Sequence, residues 1–269
     1  MLAEDLSGFS ALLISSTWPL DLLTMKSYFG PFSWENAEVE VFIPYSAAGV
    51  STTIILTSKF TGKIMLLDVG DGAIRDLLAR GSLDFITEIE SVAISHGHFD
   101  HMGGLHSLLG FLRMMKRTGR LHILLPIGCV EVINTIRGFR GAYSDTLPFE
   151  FLYHELSDGT GFDTDFFKVN AYRVEHFGME NSTDEDVLMP AVGYRVKVGG
   201  TTIAYTGDTR PCSAVEDIVR GADLAIIEAT KKIVPERKHR VHLTEAEAKQ
   251  LAKLAKNHLI IHRIPNITK

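Results

Sequence analysis

Apolar residues in this chain come as short runs separated by turn residues, and the period of the runs changes along the sequence. Residues 51–57 (STTIILT) and 63–68 (KIMLLD) are compact apolar runs that predict two neighbouring strands. Residues 73–80 then switch to helical spacing, with Ile74, Leu77 and Leu78 on one side and Gly81 as a stop. A strand at 90–95 runs directly into His96. A Leu-, Met- and Phe-rich helix is expected over 104–117, a strand over 121–125 and a helix over 130–137. The second half begins again with strands at 149–154, 168–175, 192–198 and 201–206, the last two joined by Gly199-Gly200 as a hairpin turn. Residues 224–228 and 258–262 predict two further strands. Between them Thr244 and Glu247 form a capping box that opens a helix running to about Asn257. Strands first, then strands alternating with helices, imply an α/β sandwich of two mixed sheets with helices outside. Residues 1–40 and 139–166 carry the weakest pattern.

Composition narrows the class. The chain has 269 residues, 45% apolar and 22% charged, which excludes a disordered or collagenous chain. No linker or repeat divides it, so a single domain over residues 1–269 is expected. Two cysteines, Cys129 and Cys212, cannot build a disulfide framework and suggest buried thiols in a reducing compartment. Glu4 and Asp5 stand where a signal peptide would be basic. The longest charge-free stretches, 6–20 and 41–58, are broken by Ser, Thr, Gly and Pro and do not read as membrane helices. A soluble, cytoplasmic protein is expected. The 27 basic and 33 acidic residues give 27 − 33 = −6, which argues against general nucleic-acid coating.

One motif carries chemistry. Residues 95–104 (SHGHFDHMGG) place His96, His98, Asp100 and His101 at relative positions 0, 2, 4 and 5. With 11 His and 16 Asp in the chain, that arrangement arises by chance about once in a thousand such sequences. On an extended segment residues 96, 98 and 100 project to one side, and residue 101 turns in as a helix begins. Imidazole and carboxylate without thiolate suit Zn²⁺, with Mn or Fe as alternatives.

The motif resembles the HxHxDH signature of the metallo-β-lactamase superfamily. The resemblance implies a four-layer αββα sandwich and two divalent metal ions. It also expects a later His, an Asp and a final His at strand ends, which His176, Asp208 and His262 supply. By this resemblance His96, His98 and His176 hold one metal, Asp100, His101 and His262 the other, and Asp208 bridges them.

Finer similarity points to the ribonuclease Z branch. Residues 67–72 (LDVGDG), 204–211 (AYTGDTRP), 222–230 (ADLAIIEAT) and 241–248 (VHLTEAEA) resemble its segments. The resemblance implies a dinuclear phosphodiesterase or endonuclease in which a water between the metals attacks phosphorus. His242 then assists cleavage, Glu228 orients it, and Asp100 belongs to the catalytic set. The basic run Arg237, Lys238, His239 and Arg240 could meet a phosphate. Homodimerisation is also implied. The expected substrate is a phosphodiester, either RNA at a tRNA 3′ end or something smaller. No Gly/Pro-rich basic arm is visible, and residues 139–166 are acidic. Two other readings remain: a lactone, ester or thioester hydrolase on the same metal core, and a non-enzymatic metal- or nucleic-acid-binding regulator.

Overall fold

The protein was analysed as a computed structural model that describes residues 28–180, 186–231 and 240–265. Seven strands follow one another in chain order across the first sheet: β1 (Phe32–Glu35), β2 (Val39–Ala47), β3 (Ser51–Ser58), β4 (Ile64–Val69), β5 (Ile89–Ala93), β6 (Leu121–Pro126) and β7 (Phe151–Leu156). Strands β1 to β4 are antiparallel neighbours, and β4 to β7 run parallel.

The chain next forms β8 (Gly161–Asp163) and β9 (Lys168–Arg173), then a two-stranded ribbon, β10 (Phe177–Glu180) with β11 (Asp186–Leu188). The second sheet is completed by β12 (Val192–Val198), β13 (Thr201–Tyr205), β14 (Leu224–Glu228) and β15 (His258–Ile261), in the order β15-β14-β13-β12-β9-β8. Strands β13, β14 and β15 are parallel. In both sheets the parallel strands end on chain segments that carry chemistry, as the carboxyl ends of strands do in α/β folds.

Three apolar layers hold the four structural layers together. On β3, Ile54 and Leu56 enter the core between the sheets, whereas Ile55 faces the outer helices. Strand β4 follows the same alternation, with Met65 and Leu67 between the sheets and Ile64 and Leu66 outside. That is why these runs are apolar at every position. The outer face of the first sheet is covered by helices that include Leu105–Met114 and Val130–Tyr143, through Leu108, Leu112, Ile136 and Phe139. The outer face of the second sheet is covered by helices Ser213–Val219 and Glu245–Ala252, through Ile218 and Ala248. Two mixed sheets between helical layers are the expected αββα sandwich.

Several boundaries differ from the sequence expectation. Strands β1 and β2 precede the first expected strand. The helix Ser213–Val219 was not anticipated, because it is too short for a clear 3.6-residue period. The helix opened by Thr244 has the expected capping box but ends at Ala252, five residues before Asn257. The helix expected over 130–137 continues to Tyr143, since Ile136 and Phe139 extend its buried stripe. Of the two cysteines only Cys129 is fully buried, with burial pushing its thiol up to about 12, and Cys212 is partly exposed.

The inter-sheet core directly supports the chemical end of β4, because Leu67 precedes Asp68 and packs among Ile54, Tyr205 and Ile226 in that core. A Leu67→Ala variant is expected to lose about 2–5 kcal/mol of stability. The midpoint of a denaturant titration measures it, and a change below about 0.5 kcal/mol would contradict the packing described.

Candidate metal centre

The backbone leaves β5 as an extended segment through Ser95 and His96. His98 is still extended, with φ −70° and ψ 149°, and the helix Phe99–Met102 starts after it. Asp100 therefore lies in the first turn of a helix and not on the extended segment, which corrects the expectation that residues 96, 98 and 100 share one strand-like side. The 100° helical step turns Asp100 and His101 inward together. Two glycines permit the close docking. A Cβ on Gly70 would lie 2.3 Å from the Asp100 carbonyl, and one on Gly104 would lie 2.4 Å from the Gly70 carbonyl.

All seven expected ligands converge. His98 Nδ1 lies 3.1 Å from His96 Nε2 and 3.1 Å from His176 Nε2. His262 Nε2 lies 3.1 Å from His101 Nε2 and 3.2 Å from Asp100 Oδ2. Asp208 Oδ2 stands between the two sets, 3.9 Å from His96 Nε2 and 3.4 Å from His101 Nε2. Each triad, His96–His98–His176 and Asp100–His101–His262, has donor atoms close enough together to share one ion.

Hydrogen bonds on the far side of the His96, His101, His176 and His262 rings decide which nitrogen faces the centre. Asp68 accepts from Ser95 N at 2.7 Å, Ser95 Oγ at 2.8 Å and Tyr205 OH at 2.6 Å, and His101 Nδ1 lies 2.7 Å away. A carboxylate can only accept, so His101 Nδ1 carries a proton and its Nε2 points at the centre. Burial opposes its charge, but Asp208 and Asp68 raise the His101 pKa well above its usual value, so an ion bound at Nε2 would replace a proton there. Ser95 Oγ, having donated to Asp68, accepts from His96 Nδ1 at 3.0 Å and frees His96 Nε2. His176 Nδ1 lies 3.4 Å from the Val241 carbonyl, and His262 Nδ1 lies 2.8 Å from Thr230 Oγ. Asp68 and His262 have positive φ, 58° and 56°, uncommon for residues with a Cβ and often found at functional sites. At Asp68 this reverses the strand alternation, so that Val69 packs against the outer helices.

The electrostatics fit a cation. Burial pushes the pKa of His96 well below its usual value, that of His98 down, and that of His176 down to about 3, so these rings are neutral with lone pairs available. Burial opposes ionisation of Asp100, but a hydrogen bond with His262 and the charge of His101 outweigh it and hold Asp100 at about 2. Burial likewise opposes ionisation of Asp208, and the surrounding His262 and His101 hold it well below the carboxylate range. Asp208 Oδ1 is buried and accepts no hydrogen bond, although His262 Nδ1 is 3.2 Å away, because that ring nitrogen is directed at Thr230. The neutral rings of His96, His98 and His176, meeting at 3.1 Å, and an orphaned buried carboxylate oxygen are what a divalent ion would satisfy.

His242 and Glu228 complete the site. Glu228 is fully buried at the end of β14. Its Oε1 lies 3.2 Å from His242 Nδ1 and also accepts from Leu243 N at 3.0 Å, and its Oε2 accepts from Thr230 N and Oγ at 2.9 Å. His242 Nδ1 is 3.8 Å from Asp208 Oδ2. Burial alone would lower the His242 pKa, but the Glu228 carboxylate raises it above its usual value.

The β-lactamase superfamily domain matches residues 66–262. Ribonuclease Z of Metallosphaera sedula is 30% identical, over 72% of this chain and 76% of that protein. Ribonuclease Z of Pyrococcus abyssi is 27% identical, over 77% and 79%. Human tRNase Z, short form, superposes with a TM-score of 0.64 at 23% identity, covering 84% of this chain and 92% of that one. The metallo-β-lactamase fold protein YhfI of Bacillus subtilis superposes equally well, with a TM-score of 0.64 at 17% identity over 85% and 88%. This chain belongs to the β-lactamase superfamily. Membership implies divalent-metal binding, and the triads above are the groups placed to provide it.

Sequence reasoning passed over three supports of this superfamily site: Asp68, Ser95 and Thr230. The signal for Asp68 was present, since an acid at the end of an apolar run, followed by Gly70, is costly unless something buried needs it. Of the expected basic run, residues 237–239 lie outside the described residues. Arg240 is turned away from a phosphate role, because its guanidinium is paired with Glu247. Among the described residues no helix is long and apolar enough to cross a membrane.

Because Asp68 fixes the proton on His101 Nδ1, an Asp68→Asn variant is expected to bind metal 10- to 100-fold more weakly. Competition with a chromogenic chelator reads the affinity. Unchanged affinity with an intact fold would refute the role given to Asp68.

Proposed function

We propose that this chain is a metal-dependent phosphodiesterase of the ribonuclease Z kind. His96, His98 and His176 would hold one ion, Asp100, His101 and His262 a second, with Asp208 between them. The nitrogen and oxygen donor set suits Zn²⁺, with Mn or Fe as alternatives. When bound, such ions would supply Lewis acidity toward a phosphoryl oxygen and lower the pKa of a bound water. The observation that carries the phosphodiesterase reading is the His242–Glu228 pair beside the seven ligands. Ester and lactone hydrolysis on such a core has no need of it.

The residues divide the work as follows. Glu228, pinned by Thr230 and Leu243, holds the proton on His242 Nδ1 and orients the ring. The raised pKa keeps His242 cationic to a higher pH, so it can neutralise developing charge on a phosphoryl oxygen or protonate the leaving oxygen. Asp100 and Asp208, both ionised, present oxygens on opposite sides of His262. The similarity to proteins named ribonuclease Z supports RNA as substrate. The acidic segment 139–166 favours a short or single-stranded phosphodiester over a long duplex. A cytoplasmic location and a homodimer belong to the same reading, by relatedness.

His242→Ala is expected to lower kcat by about 10²- to 10⁴-fold with metal content unchanged, and Glu228→Gln to lower it in the same direction. Since protonated His242 is the active form, wild-type kcat should fall as pH rises through its pKa, a limb that His242→Ala should lack. The decisive assay uses metal-analysed protein on bis(p-nitrophenyl) phosphate, a tRNA precursor and a lactone panel in parallel. Chelation should abolish turnover and added divalent metal restore it. Turnover of lactones alone, or full phosphodiesterase activity in His242→Ala, would overturn the proposal.

A further inference from the structure

A cleft of about 390 Å³ lies at the carboxyl end of β6 and along the segment that follows β11, next to the backbone that carries His96 and His176. Its inner wall is tied to two ligand residues. Ala191 forms a β-bridge with His96, and Met189 N donates to the His176 carbonyl at 3.0 Å. Pro126, Leu156, Met189 and Pro190 make apolar walls, and the rim residues Ile127 and Leu188 stand 61% and 39% exposed. One end of the cleft is polar. Ser157 and Asp158 lie there, with Asp158 accepting from Arg173 N at 2.9 Å. The Arg173 guanidinium is exposed and has no ion pair among the described residues. It also borders a second cavity of about 230 Å³ on the other side of Leu188.

Resting on the phosphodiesterase reading, we propose that this cleft is a nucleotide subsite. The base of the nucleotide next to the scissile phosphate lies between the apolar walls, and Arg173 takes the following phosphate. The chemistry of the lining selects this occupant over an acyl chain. A base has two apolar faces and a polar edge, matching apolar walls beside a hydroxyl and a carboxylate. An acyl chain would bring no anion to the Arg173 guanidinium and no polar edge to Ser157 and Asp158. An exposed guanidinium beside an apolar cleft can meet a phosphate while the base lies against the apolar walls.

The test uses metal-loaded full-length protein and the exposed variants Arg173→Glu and Ile127→Asp. Substrates are the short oligoribonucleotide pApApA and methyl p-nitrophenyl phosphate, which lacks both base and second phosphate. For each variant the ratio of kcat/KM on pApApA to that on the small diester is expected to fall about tenfold, through KM. An unchanged ratio in both variants overturns the subsite. If the wild type cleaves neither diester, the phosphodiesterase reading fails, and calorimetric binding of adenosine 5′-monophosphate then decides the cleft. Weakening of about tenfold in Arg173→Glu supports it. Unchanged affinity, or displacement of the nucleotide by octanoate, overturns it.

Discussion

One buried carboxylate ties the molecule together. Asp68 has no solvent contact, comes from the first sheet, and accepts from Tyr205 of the second sheet and from the Ser95 backbone and hydroxyl at the head of the histidine motif. The same carboxylate lies against His101. A carboxyl group in the interior is stable only when its polar atoms are occupied, and these four partners occupy them. The requirement fixes the spacing of the sheets at their chemical end, the direction of the motif loop and the proton on His101. Tyr205 meets the demand as a donor only, its phenol kept protonated well above its usual pKa by burial and then by the Asp68 charge.

From that anchor the site is assembled as paired roles. Four rings that face the centre with one nitrogen, those of His96, His101, His176 and His262, are held through the other by Ser95, Asp68, the Val241 carbonyl and Thr230 respectively. Thr230 connects two of these roles, because Glu228 receives its hydroxyl while His262 lies against it. The His242–Glu228 pair is thus mechanically continuous with the metal-facing cluster, and a disturbance at either reaches the other through one side chain.

The elements most legible in the sequence were those whose neighbours in space are also neighbours in sequence. The run at 51–57 and the hairpin through Gly199-Gly200 needed only local period and turn chemistry, and they stand where expected. The helix Ser213–Val219 escaped because seven residues barely make two turns. Asp100 was placed on the wrong kind of backbone because the change from extended to helical at Phe99 is set by how Gly70 and Gly104 let the chain dock.

The sequence by itself determined the donor chemistry: four candidate ligands of two types, imidazole and carboxylate, at the spacing 0, 2, 4, 5, and His176, Asp208 and His262 each at or just past the end of a recognisable strand. It also carried the family likeness that joined them. Only the tertiary structure decided which nitrogen the rings turn inward, that Asp68 and Thr230 support two of them, that Arg240 is spent on Glu247, and that an apolar cleft bordered by an exposed Arg173 lies next to the His96 backbone. The reason is physical. Spacing and period are properties of one segment, whereas a hydrogen bond between residues 68 and 205, or a wall shared by residues 126, 156 and 190, exists only after non-adjacent strands have paired and two sheets have packed.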